Sequence, residues 1–246
     1  MKPIEDAHGQ VMLKYFKGLP SLEVVERIDG YVNVDEGAEQ YFSEYKDWKS
    51  HEREAIKYAH GRCLDIGCGA GRVPLYLQKK GISCLGIDYS PLAIKICKLR
   101  GVKSAKRMAI EDLPKFKSRS FDTVIMFGNN FGLFGNKKKA KQLLKELHRI
   151  TPKNGVIMAE SRDPYMTDNP VHFKYHKANV KQGRMPGQLR MKIRFMQYST
   201  PWYDYLYVSE KEMTEILKDT GWKIKKEFKS RDFKRNGLYI AIITKE

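Results

Sequence analysis

The sequence predicts an α/β fold: a seven-stranded, mostly parallel sheet with helices on both faces and an antiparallel last strand. Three observations predict it. From Arg62 onward, short apolar runs alternate with segments of helical period, the pattern of successive strand–helix units. The first run, Arg62-Cys63-Leu64-Asp65-Ile66, ends in a cluster of glycines where a strand has to turn into a helix. The last two runs, Trp222–Lys229 and Leu238–Thr244, are joined by a charged turn at Arg235-Asn236-Gly237 with no helix between them, so they must pair antiparallel.

The elements follow in order. Tyr41, Phe42, Tyr45, Trp48, Ala55, Ile56 and Tyr58 recur at mostly helical spacing and predict one or two amphipathic helices over 38–59. After the first strand, Val73–Lys80 continues as a helix that Gly81 ends. Ile82–Ile87 is the second strand, and Ser90-Pro91 supplies an N-cap and a first-turn proline for the helix to Leu99. Phe121–Phe127 is a strand; Ala140, Leu143, Leu144 and Leu147 mark a helix that Asn136 can cap; Gly155–Ala159 is a strand. Ser209-x-x-Glu212 is a capping box for a helix that stops at Gly221.

Residues 162–206 break this alternation. Leu189, Met191, Ile193 and Phe195 alternate with Arg190, Lys192 and Arg194, giving a strand with one apolar and one basic face. Tyr203–Val208 alternates as well, so an inserted β-hairpin is the simplest account. A long connection at the ligand-binding edge of an α/β sheet is often a lid or substrate module. The expected domains are an N-terminal helical segment (1–61), a core domain from 62–161 and 207–246, and the inserted module 162–206.

Apolar residues make up 41% and charged residues 30%, an ordinary globular balance, and no run is long enough to span a membrane. The chain starts without an apolar leader, so a cytoplasmic protein with no membrane partner is expected. Cys63, Cys68, Cys84 and Cys97 lack metal-site spacing and read as reduced packing residues; no metal is expected. The formal charge of +17 attracts nucleic acid or other anions, or is simply a solvated Lys-rich surface. Lys137, Lys138, Lys139 and Lys141 form its densest cluster, at a helix start where the macrodipole disfavours them.

Gly67, Gly69 and Gly71 provide a tight turn and close backbone approach directly after the first strand. A dinucleotide fingerprint would require glycine at 72, where Arg72 stands. Asp88 ends the second strand, where a carboxylate can accept both hydroxyl hydrogens of a ribose; a helix cap is the plainer role, but Ser90 fills it. Glu111, after the third strand, could reach an adenine amino group or be a solvated helix start.

Together these residues resemble the class I, Rossmann-like methyltransferases that use S-adenosyl-L-methionine and release S-adenosyl-L-homocysteine. The resemblance covers Arg62 to about Ser161, and the antiparallel ending over 207–246 agrees with it. It implies that Asp65, Gly67, Gly69 and Gly71, with Cys68, surround the methionine part of the cofactor. It places Asp88, beside Tyr89, on the ribose, and Ile110 and Glu111 at the adenine. Gly128, Asn129 and Asn130 would face the sulfonium. Tyr41 and Trp48 resemble part of the N-terminal helix that covers the cofactor in small-molecule members, or else pack the core.

Family motifs for base methylation are missing. Gly128-Asn129-Asn130-Phe131 stands where [DNS]-P-P-[YF] would be, and Asp163-Pro164-Tyr165 is a misplaced fragment of that motif. A small-molecule acceptor is therefore expected, with an RNA or protein methyltransferase docking through the basic surface, or a non-catalytic regulatory protein that binds the cofactor, as alternatives. A hydroxyl acceptor benefits from a general base. The candidates are Asp163, Tyr165, His172, Tyr203 and Asp204; His172 and His176, four apart, lack a carboxylate partner for a metal. Trp202, Tyr203, Tyr205 and Tyr207 could line an acceptor pocket or pack the hairpin. The basic face of Arg190, Lys192 and Arg194 could pair with an anionic acceptor or guard a strand edge.

Overall fold

The computed structural model describes residues 1–35 and 37–246. Its elements are α1 (Ala7–Phe16), β1 (Glu23–Arg27), β2 (Val32–Asp35), α2 (Ser50–Ala55), β3 (Cys63–Ile66), α3 (Arg72–Lys79), β4 (Cys84–Asp88), α4 (Pro91–Leu99), β5 (Ala105–Arg107) and β6 (Thr123–Met126). They continue with α5 (Lys137–Ile150), β7 (Val156–Arg162), α6 (Pro170–Lys181), β8 (Gln188–Phe195), β9 (Tyr198–Ser199), β10 (Tyr203–Leu206), α7 (Glu210–Leu217), β11 (Trp222–Lys229), α8 (Phe233–Asn236) and β12 (Leu238–Lys245).

Local chemistry sets the boundaries. Ser90 Oγ accepts the Ala93 N–H at the start of α4, with Pro91 in its first turn, and Asn136 caps α5 by accepting from Lys139 N. The reciprocal Ser209–Glu212 capping box opens α7. The seven-stranded sheet has the order β11-β12-β7-β6-β3-β4-β5. β4 pairs parallel with β5 and β6 parallel with β7, whereas β12 runs antiparallel to both β7 and β11. The expected fold class, with its antiparallel finish, is present.

The chain divides into two compact units. The first comprises 1–48, 64–109 and 190–203. In it, β1 pairs antiparallel with β2 and with β8, and Val25 sits opposite Ile193. Glu26 lies opposite Lys192, and its carboxylate reaches both Lys192 Nζ (3.4 Å) and Arg194 Nε (2.6 Å). Cross-strand pairs of opposite charge stabilise such a ladder, and two of the three cations of this basic face share one acid within their own sheet. Met12, Ala70, Ala93 and Ile96 form a core cluster of this unit, with Tyr41 and Phe42 against it. Asp6, 1% exposed, joins α1 to α4: its carboxylate accepts from Gly9 N (3.0 Å), Ser90 Oγ (2.9 Å) and Leu92 N (3.2 Å).

The second unit comprises 49–63, 110–189 and 204–246. β12 is its axis, with Leu238 through Ile243 all buried. Trp222 donates its indole N–H to Leu144 O at 2.9 Å, and Tyr239 donates its hydroxyl to Val208 O at 2.9 Å, so both large rings are buried with their polar atoms satisfied.

Two expectations are corrected and a third is extended. Residues 38–59, expected as one or two amphipathic helices, are three short 3-10 turns (Gly37–Tyr41, Tyr45–Asp47, Ile56–Tyr58) flanking the six-residue α2. Aromatics at helical spacing also fit stacked turns: Tyr45 stacks on Tyr76 at 4.6 Å, and Trp48 packs at 5.2 Å from the same ring. Segment 1–61 is not wholly helical either, since it contributes β1 and β2. The expected inserted hairpin is present, since β8 pairs antiparallel with β9 and neighbours β10, but 162–206 also carries α6, and β8 pairs on its other side with β1.

Asp6→Ala leaves three donors without their acceptor, two of them backbone N–H groups, and is expected to destabilise the protein by about 3 kcal/mol. Urea unfolding of the two proteins side by side measures this; a change below about 0.5 kcal/mol would show that the contact is not structural.

Candidate functional site

In the first unit the turn after β3 is built from backbone that favours glycine. Gly67, Gly69 and Gly71 have φ of 73°, 53° and 83°. A Cβ on Gly71 would lie 2.7 Å from Val102 Cγ2, so this position also lacks space. Gly67 N and Cys68 N both donate to Ile87 O, at 2.9 and 3.0 Å, which ties the turn to β4.

Asp88 completes that tie. Its Oδ2 accepts Gly69 N–H and its Oδ1 accepts Ser90 N–H, each at 2.9 Å. Burial raises its pKa, against the lowering effect of Ser90 N–H, His8 and Gly69 N–H. Asp65 is more unusual. It is 3% exposed, its carboxylate hydrogen-bonds no described residue, and burial, with the Arg72 guanidinium opposing and Asp88 adding, lifts its pKa to about 7. A buried carboxylate without a hydrogen bond is costly unless a cation or donor arrives.

Around these acids, Tyr41 approaches the turn closely: a Cβ on Gly69 would lie 3.3 Å from its ring. Trp48 is 2% exposed, donates to Ser43 O at 3.2 Å and stacks under the Arg72 guanidinium at 4.9 Å, a packing role. Arg100, which no sequence pattern singles out, donates to Ala70 O (2.6 Å), Tyr41 O (3.4 Å) and Phe42 O (3.2 Å), holding the aromatic segment beside the turn. Cys68 and Cys97 face each other as free thiols with sulfurs 3.9 Å apart. Tyr89 is half exposed, with the Arg107 guanidinium 5.9 Å from its ring centre.

The second unit holds another left-handed turn. Gly128 (φ 71°) and Asn129 (φ 63°) leave β6 in succession. Glu160 of β7, 1% exposed, accepts Gly128 N–H at 2.6 Å, and its other oxygen lies 3.2 Å from His51 Nε2. His51 is 1% exposed and its Nδ1 has no partner. Tyr205 donates its hydroxyl to Asn129 O at 2.7 Å, while Asn129 Oδ1 is buried and unpartnered. Asn130 opens the 3-10 turn Asn130–Phe134. Nothing in the sequence marks Glu160 or His51: they lie 109 positions apart, and no local pattern links them.

The remaining expected residues scatter. Ile110 is buried, whereas Glu111 is exposed and ion-paired with Lys139 of α5. Asp163 accepts from Tyr165 N at 2.9 Å within one turn. Tyr165 donates its hydroxyl to Glu212 at 2.8 Å, and partial burial and that carboxylate push its pKa well up, the wrong direction for a base. His172 lies on α6, and Tyr203 packs in the core cluster of Ala7, Val11, Ala38, Ile193 and Phe195. Asp204 lies against Gly135, with its Cβ 3.3 Å from where that glycine's would be. Among the described residues no His, Cys, Asp and Glu group could hold a metal ion, and no helix is long and apolar enough to cross a membrane.

Sheet order, strand directions and the glycine turn after β3 define a Rossmann-like α/β protein of the class I methyltransferase fold. Residues 64–159 match a methyltransferase domain family. A solved S-adenosylmethionine-dependent methyltransferase from Bacteroides fragilis, in complex with S-adenosyl-L-homocysteine, superposes with a TM-score of 0.82 at 24% identity, covering 100% of this chain and 97% of its own. An S-adenosylmethionine-dependent methyltransferase from Methanosarcina mazei gives 0.60 at 22%, covering 77% of this chain and 95% of its own. Among curated proteins, a ubiquinone biosynthesis O-methyltransferase from Hahella chejuensis is 32% identical over 68 residues, 26% of this chain and 29% of its own length. A human lysine N-methyltransferase named for ATP synthase is 26% identical over 99 residues, 39% of this chain and 42% of its own. The chain spans about half the length or less of the curated relatives it matches. Residues 64–159 thus resemble a methyltransferase domain, and the solved structures, both under 25% identical, add the fold.

The residues of the first unit fit S-adenosyl-L-methionine, the cofactor that the resemblance implies. A bare, buried carboxylate at Asp65 suits an ammonium group, Asp88 keeps lone pairs for ribose hydroxyls, and the glycine backbone leaves room for close approach.

Asp65 also gives a pH prediction. Its folded pKa of about 7 lies above the ordinary value of 3.8, so its contribution to stability is full below the lower value and is lost as pH rises to the upper one. Without ligand, Asp65→Asn is expected to gain stability over the unsubstituted protein between pH 4 and 7, on the order of 2–4 kcal/mol above pH 7. Denaturant midpoints at pH 4.5 and 7.5 check this; a pH-independent difference would contradict it.

Proposed function

We propose that this protein transfers the methyl group of S-adenosyl-L-methionine to a small-molecule acceptor. The observation that carries the reading is the acid pair at the glycine turn: Asp65 without a hydrogen-bond partner and Asp88 fixed against Gly69 N–H. The cofactor supplies a methyl group on a sulfonium, already activated for in-line displacement. The chain's own residues supply binding and alignment. Asp65 takes the ammonium of the methionine part, and Asp88 accepts from the ribose hydroxyls. Gly67, Cys68, Gly69 and Gly71 present the close backbone, with Tyr41 as cover and Tyr89 at its rim. The assignments of Ile110 and Glu111 to adenine, and of Gly128, Asn129 and Asn130 to the reacting end, rest on the family resemblance; of these, Glu111 is the weakest because Lys139 already pairs with it.

Glu160 is a positioning residue in this scheme, since its carboxylate fixes the Gly128 backbone and holds His51. The small-molecule reading draws support from the engaged state of some basic groups: Lys192 and Arg194 share the Glu26 carboxylate, and Lys139 pairs with Glu111. The Hahella relative is named for ubiquinone biosynthesis, also a small-molecule role. A cytoplasmic location belongs to the same proposal and is supported by four free cysteines.

Asp88→Asn is expected to weaken S-adenosyl-L-homocysteine binding roughly 30-fold or more by calorimetry, the worth of two charge-assisted hydrogen bonds; unchanged affinity would remove the ribose assignment. Incubation with methyl-labelled cofactor and fractionated cell extract tests the acceptor. Label is expected in the low-mass fraction and, at limiting cofactor, strongly reduced with Asp88→Asn. Label in RNA or protein would overturn the small-molecule reading, and cofactor binding without any transfer would point to a regulatory role.

A further inference from the structure

The proposed ribose site has an acceptor-only carboxylate and needs a donor beside it. Each ribose hydroxyl has one hydrogen to give and lone pairs to fill. Asp88 takes hydrogens, and nothing assigned so far fills the lone pairs.

His8, on the first turn of α1, stands at this place. Its Nδ1 bonds Glu23 Oε2 of β1 at 2.9 Å, and Nε2 is bonded to no described residue. The ring meets Tyr41 edge-on at 4.9 Å, and Tyr41 in turn lies over Gly69, the residue whose N–H Asp88 holds. The charged groups facing it are Glu23 from β1, Asp6 from the start of α1 and Asp88 from the end of β4. Three carboxylates around one imidazole keep it protonated: burial alone would lower its pKa, but Glu23, Asp88 and Asp6 bring it to about 9. Both ring nitrogens of an imidazolium are donors, so Nε2–H is a charged donor with no partner among the described residues.

We propose that His8 is a second ribose ligand, donating Nε2–H to a hydroxyl whose own hydrogen goes to Asp88, with Glu23 fixing the ring. This rests on the reading that Asp88 holds the ribose. It gives α1 a direct part in cofactor binding and makes affinity depend on the protonation of His8. The adenine, the sulfonium and the amino-acid part need no contact with it.

The test measures calorimetric affinity for two probes, S-adenosyl-L-homocysteine and 5′-methylthioadenosine, which shares the ribose and adenine but lacks the amino-acid part. His8→Gln is expected to weaken both about ten-fold, the scale of one charge-assisted hydrogen bond. The unsubstituted protein is expected to hold 5′-methylthioadenosine evenly from pH 7 to 8 and to lose affinity as pH rises through about 9, with no such step in His8→Gln. Glu23→Gln, which keeps the imidazole, is expected to move that step to lower pH, and Tyr41→Phe to leave it in place; a structural role alone would produce neither result. Equal affinity in His8→Gln and the unsubstituted protein for both probes overturns the proposal. So does a loss confined to S-adenosyl-L-homocysteine, which would put His8 at the amino-acid end. If Asp88→Asn binds 5′-methylthioadenosine normally, the underlying ribose reading fails; if it binds weakly while His8→Gln does not, only the His8 proposal fails.

Discussion

The bond from Gly69 N–H to Asp88 Oδ2 is the constraint on which the site depends. A glycine turn with three left-handed residues has little to hold its shape, because the same freedom that allows it allows many others. Here the neighbouring strand fixes it, through Ile87 O on the first two amides and the Asp88 carboxylate on the third. The second Asp88 oxygen receives Ser90 N–H at the start of α4, and Ser90 Oγ leads on to Asp6 and α1. One carboxylate therefore sets the turn, the entry to a helix and, through two further bonds, the place of the N-terminal segment.

The second unit repeats the device. The turn leaving β6 is also left-handed, at Gly128 and Asn129, and a carboxylate from the adjacent parallel strand, Glu160 of β7, again accepts the glycine N–H. Tyr205 fixes the other side of that turn by bonding Asn129 O. Charge-assisted bonds to backbone N–H are among the stronger ones available to a protein. Using them at strand ends keeps flexible glycine backbone in one conformation before any ligand arrives.

Much of this was legible in the sequence because it is local. The capping residues Ser90, Asn136 and Ser209 act within a few residues of themselves, and the glycine turn and Asp88 stand at the ends of strands that their own apolar runs mark. What was not legible depends on distant partners. The five-residue β1 pairs with β8 across more than 160 positions, so the alternation that marks β8 could not announce its partner. Helix α1 contains Gly9, which argues against a helix locally; the reason for it is non-local, since a Cβ there would strike Ser90 Oγ and the Asp6 carboxylate. The aromatics of 38–59 mislead for a related reason: their spacing records contacts with Tyr76 and the Arg72 guanidinium rather than one continuous helix. Asp65 stood in the sequence as part of a motif, but only burial without a partner shows why its charge is available.

In the proposed function the turn after β3, and the carboxylate that holds that turn, grip the cofactor. Hydrogen exchange read by mass spectrometry, with and without S-adenosyl-L-homocysteine, addresses it most directly. Added protection is expected in peptides spanning residues 64–72 and 86–93, with α1 following because Asp6 and Ser90 connect it. Binding that leaves those peptides unchanged and protects others instead would contradict it.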